Sequence, residues 1–218
     1  HSTLVVDMHN QSGMKEADYL KGSYGPHPSR QLYYSDQEGM PATVVYNDRI
    51  YPGVRIWRGL AVIDGAFVMM DRLESDTPHT YDWFFYGVPD KGDGLSGIKL
   101  DMKKRTSPLG ETDGYQIPEN LSEAVSSGDV RADWTWNPGD AAKSFALSLT
   151  MPNKEPVRAV HGFTVWPAYS GKEKEFLVLR RENAKDSGFM AVFEPHKGGS
   201  TITGISAVPV EEQTPMGD

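Results

Sequence analysis

The sequence predicts an all-β protein, a large two-sheet antiparallel β-sandwich. Stretches of four to ten residues rich in β-branched and aromatic side chains recur along its whole length, and several alternate apolar with polar. Helical periodicity is scarce. So many strands exceed what one open twisted sheet holds, about ten, so two stacked sheets are the economical arrangement.

The strands are read in order. TLVVDM (3–8) opens the chain, followed by QLYYSD (31–36), ATVVYND (42–48) and VRIWRGLAVI (54–63). Asp64-Gly65 then forms a two-residue hairpin turn into GAFVMMDRLE (65–74), which makes those flanking strands antiparallel neighbours. TYDWFFYGV (80–88), GIKLDMKK (97–104), RADWTWN (131–137), SFALSLTM (144–151) and AVHGFTVW (159–166) continue the series. EFLVLRRE (175–182), FMAVFEP (189–195) and TITGISAVPV (201–210) close it. Two segments carry a short helical pattern, Met14 to Lys21 and Glu119 to Gly128, the first stopped by Gly22, Gly25, Pro26 and Pro28. Asp90 to Gly97, Pro108 to Gly114 and Asn137 to Asp140 are Gly, Pro and Asp rich and read as surface loops.

Composition bounds the function. The 218 residues, 38% of them apolar, suffice for one sizeable core, so residues 1–218 are expected to form a single domain. Twenty-two Lys and Arg against 30 Asp and Glu give a formal charge of -8, which argues against a nucleic-acid footprint or a polybasic membrane surface. No apolar run reaches the roughly 18 residues of a membrane helix. Without cysteine there is neither disulfide nor thiolate chemistry. No fixed-period repeat marks a propeller or solenoid.

The first thirteen residues, HSTLVVDMHNQSG, place His1 ahead of a short alternating strand and an amide pair, Asn10 and Gln11, behind it. A histidine and amides at a sheet rim can polarise, protonate or deprotonate a bound polar ligand. HSTLVVDMHNQ resembles the histidine segment of the heparinase II/III-like polysaccharide lyases. RGLAVIDGAFVMMDRLESDTPHTYDWFFYG (58–87) and EFLVLRRENAKDSGFMAVFEPHK (175–197) resemble later parts of the same C-terminal domain.

That resemblance implies a β-supersandwich of the galactose-mutarotase-like kind. It further implies β-elimination on a uronate-containing polysaccharide, alginate first and a heparin-like glycosaminoglycan or heparosan second. His1 is then the catalytic histidine of a cleft shared with an N-terminal (α/α) toroid, which supplies the remaining catalytic groups. These 218 residues contain no toroid, so the chain is expected to be a domain piece of a larger lyase, inactive in isolation, from a periplasmic or secreted protein. The expected partners are an acidic polysaccharide and the toroid, with no nucleic acid and no membrane.

Other candidates are weighed from the residues. Gln11, His79 and Arg181 are the expected substrate-binding side chains. His79 follows Pro78 at the start of an aromatic strand, where it reaches the rim, holds a metal or hydrogen-bonds within the sheet. Arg180 and Arg181 point to opposite faces, so one can bind a carboxylate while the other is solvated or paired. His161 reads as structural at a strand bend or as facing the cleft. His9, His27 and His196 sit beside turns and read as solvated. Arg55 and Arg58 flank Trp57 and either grip a sugar acid or form cross-strand charge pairs. Trp134 and Trp136 share one face, as a stacking platform or as core. No cofactor is assigned, and Asp71, Asp76 and Asp82 lack the tight spacing of a metal motif, though a divalent metal is left open. Two other functional classes compete: a non-catalytic carbohydrate-binding module, and a copper-dependent lytic polysaccharide monooxygenase using the His1 amine and imidazole.

Overall fold

The computed structural model describes residues 3–9, 11, 29–86, 94–112, 114–136, 144–165 and 173–206. Among these there is no helix. Twelve strands run in chain order: β1 Leu4–Val6, β2 Arg30–Ser35, β3 Ala42–Asn47, β4 Val54–Ile63, β5 Ala66–Tyr86 and β6 Gly94–Ile98, then β7 Lys103–Lys104, β8 Glu119–Ser126, β9 Val130–Trp136, β10 Phe145–Met151, β11 Val157–Val165 and β12 Glu173–His196. Every pairing is antiparallel.

Two strands belong to both layers. The first half of β5 pairs with β4 and with the end of β12, in a sheet ordered β2-β3-β4-β5-β12-β10-β9-β6. The second half of β5 pairs with β1 and with the start of β12, and β11, β8 and β7 extend that second sheet. The sequence predicts β5 and β12 each as two separate strands. They are continuous because each crosses from one sheet to the other at an irregular bend. The register shifts between Arg181 and Ala184 and again between Ala184 and Asp186, and Asn183 sits at φ 56. Pro78 falls at this interruption, where its missing N–H costs no ladder bond.

The fold-back brings residues far apart in sequence together. Phe193 contacts both Phe67 and Phe85, at 6.2 and 5.3 Å between ring centroids, and Trp83 lies 5.3 Å from Phe189. Between the layers lies one core containing Leu73, Tyr81, Trp83, Leu149, Met151, Leu177 and Leu179. At about 25 cal/mol per Å² of apolar surface removed from water, this core is the main stabilising term.

The outer face of the second sheet is covered as well. Phe84, Leu121, Val160, Phe176 and Val178 form a second cluster, roofed by Leu109 and Tyr115 from the segment between β7 and β8. Pro108 to Gly114 is therefore not simply a surface loop, since Leu109 is fully buried. Gly162 makes this packing close: a Cβ there would meet Leu121 Cδ2 at 2.4 Å and Phe176 Cζ at 3.1 Å.

Other expectations are met or corrected. Asp64 and Gly65 have φ of 49° and 79°, and Ile63 pairs with Ala66, so the two-residue hairpin forms as read. Glu119 to Gly128 is not helical; it forms β8, paired with β11 and β7. Leu121 alternates onto the buried face, and Asn120, Ser122 and Val125 are poor helix formers, so cross-strand pairing wins. GIKLDMKK divides into the end of β6 and the short β7, and residues 201–206 form no strand. Met14 to Lys21, residues 90–93 and Asn137 to Asp140 lie outside the described residues.

Candidate functional site

His1 lies outside the described residues. The strand that follows it is placed: Leu4 pairs with Trp83 and Val6 with Tyr81, and the Thr3 carbonyl accepts the Phe84 N–H at 2.8 Å. β1 is thus an edge strand of the second sheet, entering beside the last residues of β5. Here β5 ends and β6 begins, β9 ends and β10 begins, and β11 ends and β12 begins. This is the rim opposite the bend where β5 and β12 change sheets.

His79 lies at the bend. Its Nδ1 is 2.6 Å from Asp7 Oδ2, and its Nε2 lies 3.0 Å from Ser75 Oγ and 3.1 Å from Thr77 Oγ1. Asp7 Oδ1 also accepts the Thr80 N–H at 2.8 Å, with Asp7 at φ 51 and Met8 at φ 60. Asp7 and the ring together lock the end of β1 onto the bend. Both ring nitrogens have protein partners, so the within-sheet alternative is the one the geometry matches. Gln11 is half-buried. Among the described residues no hydrogen bond joins it to His79 or Arg181.

Arg181 is buried, 7% exposed. It donates to Ser187 Oγ at 3.2 Å, to Asn153 Oδ1 at 2.8 Å and to the Gly188 carbonyl, pairs with Glu155 at 3.4 Å, and lies 4.8 Å over the Phe189 ring. Burial pulls its guanidinium below the ordinary arginine range, offset by Glu155. Arg180 faces the other way, as alternation requires, and both its bonds to Asp82 are short, 2.6 and 2.8 Å. Neither arginine is solvated, so both are engaged inside the protein.

Asp82, Arg180 and Tyr115 form a buried polar group under the roof segment. Arg180 also donates to the Leu109 carbonyl at 3.1 Å, and its guanidinium lies 5.9 Å from the Tyr115 ring centre. Burial, then the Asp82 charge, pushes the Tyr115 phenol far above the ordinary range. On the first sheet, Arg58 grips Asp71 with bonds of 2.7 and 2.6 Å, and Arg55 pairs with Glu74 at 3.4 Å. These are the cross-strand charge pairs of the plainer alternative. Trp134 is core, while Trp136 packs on Phe145 at 5.2 Å.

His161 is on the inner face of the second sheet, near the rim opposite the bend. Its Nε2 lies 2.7 Å from Glu175 Oε1, and Glu175 Oε2 accepts the Leu95 N–H from β6. His196 is not simply solvated: its Nδ1 accepts the Gly199 N–H at 3.1 Å, and Nε2 faces Ser148 Oγ at 2.8 Å. His9 is exposed, and His27 lies outside the described residues. An open groove of about 180 Å³ between β2, β3, β4 and β5 is lined by Tyr34, Pro41, Thr43, Leu60, Val62 and Phe67, with no charged side chain. It suits an apolar contact better than an anion. Among the described residues no three His, Asp or Glu side chains gather as a metal site.

Sequence reasoning missed Asp7 and Glu175 as partners of His79 and His161. Asp7 lies 72 residues from His79, and only the β1–β5 register brings them together. Glu175 is placed opposite Phe163, one row from His161, by the β11–β12 register.

No protein-family model matches the chain. It is 26% identical over 205 residues to an exo-oligoalginate lyase from Saccharophagus degradans, a match covering 90% of this chain and 27% of that protein. The chain thus spans about a quarter of the length of the curated relative it matches. The resemblance to heparinase and alginate-lyase-like polysaccharide lyases drawn from its sequence blocks holds across nearly the whole chain. Solved structures it matches include a heparan sulfate lyase from Pedobacter heparinus, with TM-score 0.45 and 15% identity, covering 91% of this chain and 24% of that one. A heparinase III matches with TM-score 0.49 and 10% identity over 90% of this chain and 24% of that one.

Proposed function

We propose that this chain is the β-sandwich domain of a larger polysaccharide lyase that cleaves a uronate-containing polysaccharide by β-elimination, alginate first and a heparin-like polymer second. The observation that carries the reading is the similarity to an exo-oligoalginate lyase along 90% of the chain. The same comparison supports a larger protein, since the match occupies 27% of that relative. An N-terminal helical toroid is the domain proposed to complete the cleft, in a protein acting in the periplasm or outside the cell.

The chemistry defines what the sandwich must supply. Removing the C5 proton of a uronate builds negative charge on the adjacent carboxylate, and the C4–O4 bond then breaks, leaving a C4–C5 double bond. Donors aimed at that growing charge stabilise the transition state more than the ground state. His1 is proposed for that role. A histidine suits it because the ordinary imidazole pKa, about 6.5, lets the ring donate or accept near neutral pH. Support comes from β1, whose start lies at the rim opposite the bend, beside the end of β5. The bend, by contrast, is filled by His79 and its partners.

Gln11, His79 and Arg181 are weighed differently by the geometry. Half-buried Gln11 keeps its proposed substrate-binding role. His79 and Arg181 are proposed to shape the sandwich rather than touch the sugar, because their polar atoms are engaged within the protein.

The test is an elimination assay on alginate, heparosan and heparin, following the ultraviolet absorbance of the new double bond. The longer polypeptide, with the region encoded ahead of His1, is expected to act on alginate; the isolated chain is expected to show little turnover. Absence of product from all three polymers with the longer polypeptide would sink the reading.

A further inference from the structure

His161 combines a fixed orientation with a second nitrogen that has no partner among the described residues. Glu175 is 5% exposed and its side chain is held from two sides, by the imidazole at 2.7 Å and by the Leu95 backbone N–H. Seating it requires Gly94: a Cβ at that position would lie 2.5 Å from Glu175 Oε2, and Gly94 has φ 151. A carboxylate accepts only, so Nε2 carries the hydrogen toward Glu175, and Nδ1 is the nitrogen left for another partner. The His161 side chain is 19% exposed, and Nδ1 has no partner among the described residues.

A buried carboxylate that fixes one edge of a histidine and leaves the other edge free pre-organises the free edge. Phe163, two residues on and on the same face, sets its ring 5.3 Å from the imidazole at 72°. An aromatic ring beside a hydrogen-bonding group is the pairing a pyranose fits, with its C–H face on the ring and a hydroxyl on the nitrogen.

The position supports the same use. His161 is opposite Leu177, and Leu177 is opposite Phe85, so the three share one row across the second sheet near the rim where β11 ends. β1 lies three strands from β11 in that sheet, about 14 Å at the usual strand spacing. A chain of linked sugars crossing the rim near the start of β1 would reach His161.

We propose that His161, oriented by Glu175 and flanked by Phe163, forms a sugar-binding subsite on the sandwich, taking a hydroxyl of a pyranose unit of the polysaccharide. This rests on the lyase reading above and adds a subsite away from its proposed catalytic histidine. The contact contributes to binding, and its loss should weaken affinity without abolishing the fold.

The experiment is nuclear magnetic resonance of the isotope-labelled chain titrated with a mannuronate trisaccharide. The His161 and Phe163 ring signals are expected to shift on titration, and His161→Ala should weaken binding about tenfold. Should His161→Ala fail to fold, Phe163→Leu reads the same contact. Trisaccharide shifts that spare both rings overturn the subsite and leave the lyase reading intact. If no residue shifts at all, the subsite is again overturned, and the elimination assay on the longer polypeptide separately decides the lyase reading.

Discussion

Arg180 and Asp82 face each other across adjacent strands of the second sheet, Nε to Oδ1 at 2.6 Å and Nη2 to Oδ2 at 2.8 Å, with both side chains buried. Asp82 pairs in register with Arg180, so the bidentate fork forms between directly opposed residues. Removing one partner strands the other charge without water. Asp82→Asn or Arg180→Met should therefore destabilise the chain by about 3–5 kcal/mol, read as a lower urea midpoint. The double change Asp82→Leu with Arg180→Met should recover much of that loss, and a double mutant as unstable as the sum of the singles would contradict the account.

Gly162 lies on the outer face of the second sheet, packed between Leu121 of β8 and Phe176 of β12. Gly162→Ala forces a methyl group into Leu121 and the Phe176 ring. Overpacking of this kind costs about 1–3 kcal/mol. Thermal unfolding measures it, and an unchanged midpoint would show that Leu121 and Phe176 do not close over the glycine as described.

Asp7 ties the end of β1 to the bend through His79 Nδ1 and the Thr80 amide. Asp7→Asn keeps the size of the side chain but removes the charge from the bond to the imidazole, and the loss should be about 1–2 kcal/mol. The sharper readout is local: hydrogen exchange at the Thr80 amide and along β1 should accelerate while the centre of β12 stays protected. Uniform acceleration would mean the pair supports the whole fold instead.

Glu194 gathers the Ser200 hydroxyl, the Thr201 hydroxyl and amide and the Ile202 amide, and these bonds, the Ser200 one foremost, hold its carboxyl at about 2. The folded pKa is depressed below the unfolded value of about 4.3. The stabilisation is therefore fully present above the unfolded pKa and is lost as pH falls through the folded value. Between about pH 4 and pH 2, contacts of residues 200–202 with β12 should loosen in amide chemical shifts. Glu194→Gln should show the loosened state already at neutral pH.

Particular residues show how far the sequence speaks for the fold. The alternation in VRIWRGLAVI and the Asp64-Gly65 pair are local signals, and β4, the turn and the start of β5 follow from them. That β5 and β12 each run on through the bend is not local. SDTPH and ENAKDS are polar and break the apolar alternation on either side of them, yet the chain there passes between two sheets, with Asn183 at φ 56. For β8 the helical pattern of ENLSEAV was misleading, since strand or helix is decided by β11 beside it.

The candidate site is less legible for the same reason. Opposite faces for Arg180 and Arg181 follow from alternation, but that Asp82 meets one and Asn153 the other depends on register and fold-back. His161 gains its interest from Glu175, whose neighbouring sequence gives no hint of the pairing.

The most direct test of the central claim is the rate of double-bond formation from oligoalginate by the polypeptide that includes the region ahead of His1, compared with its His1→Ala variant. The account predicts product from the unaltered protein and a fall of about a hundredfold or more in kcat for the variant, with an unchanged melting temperature. A variant that eliminates at the full rate would contradict it.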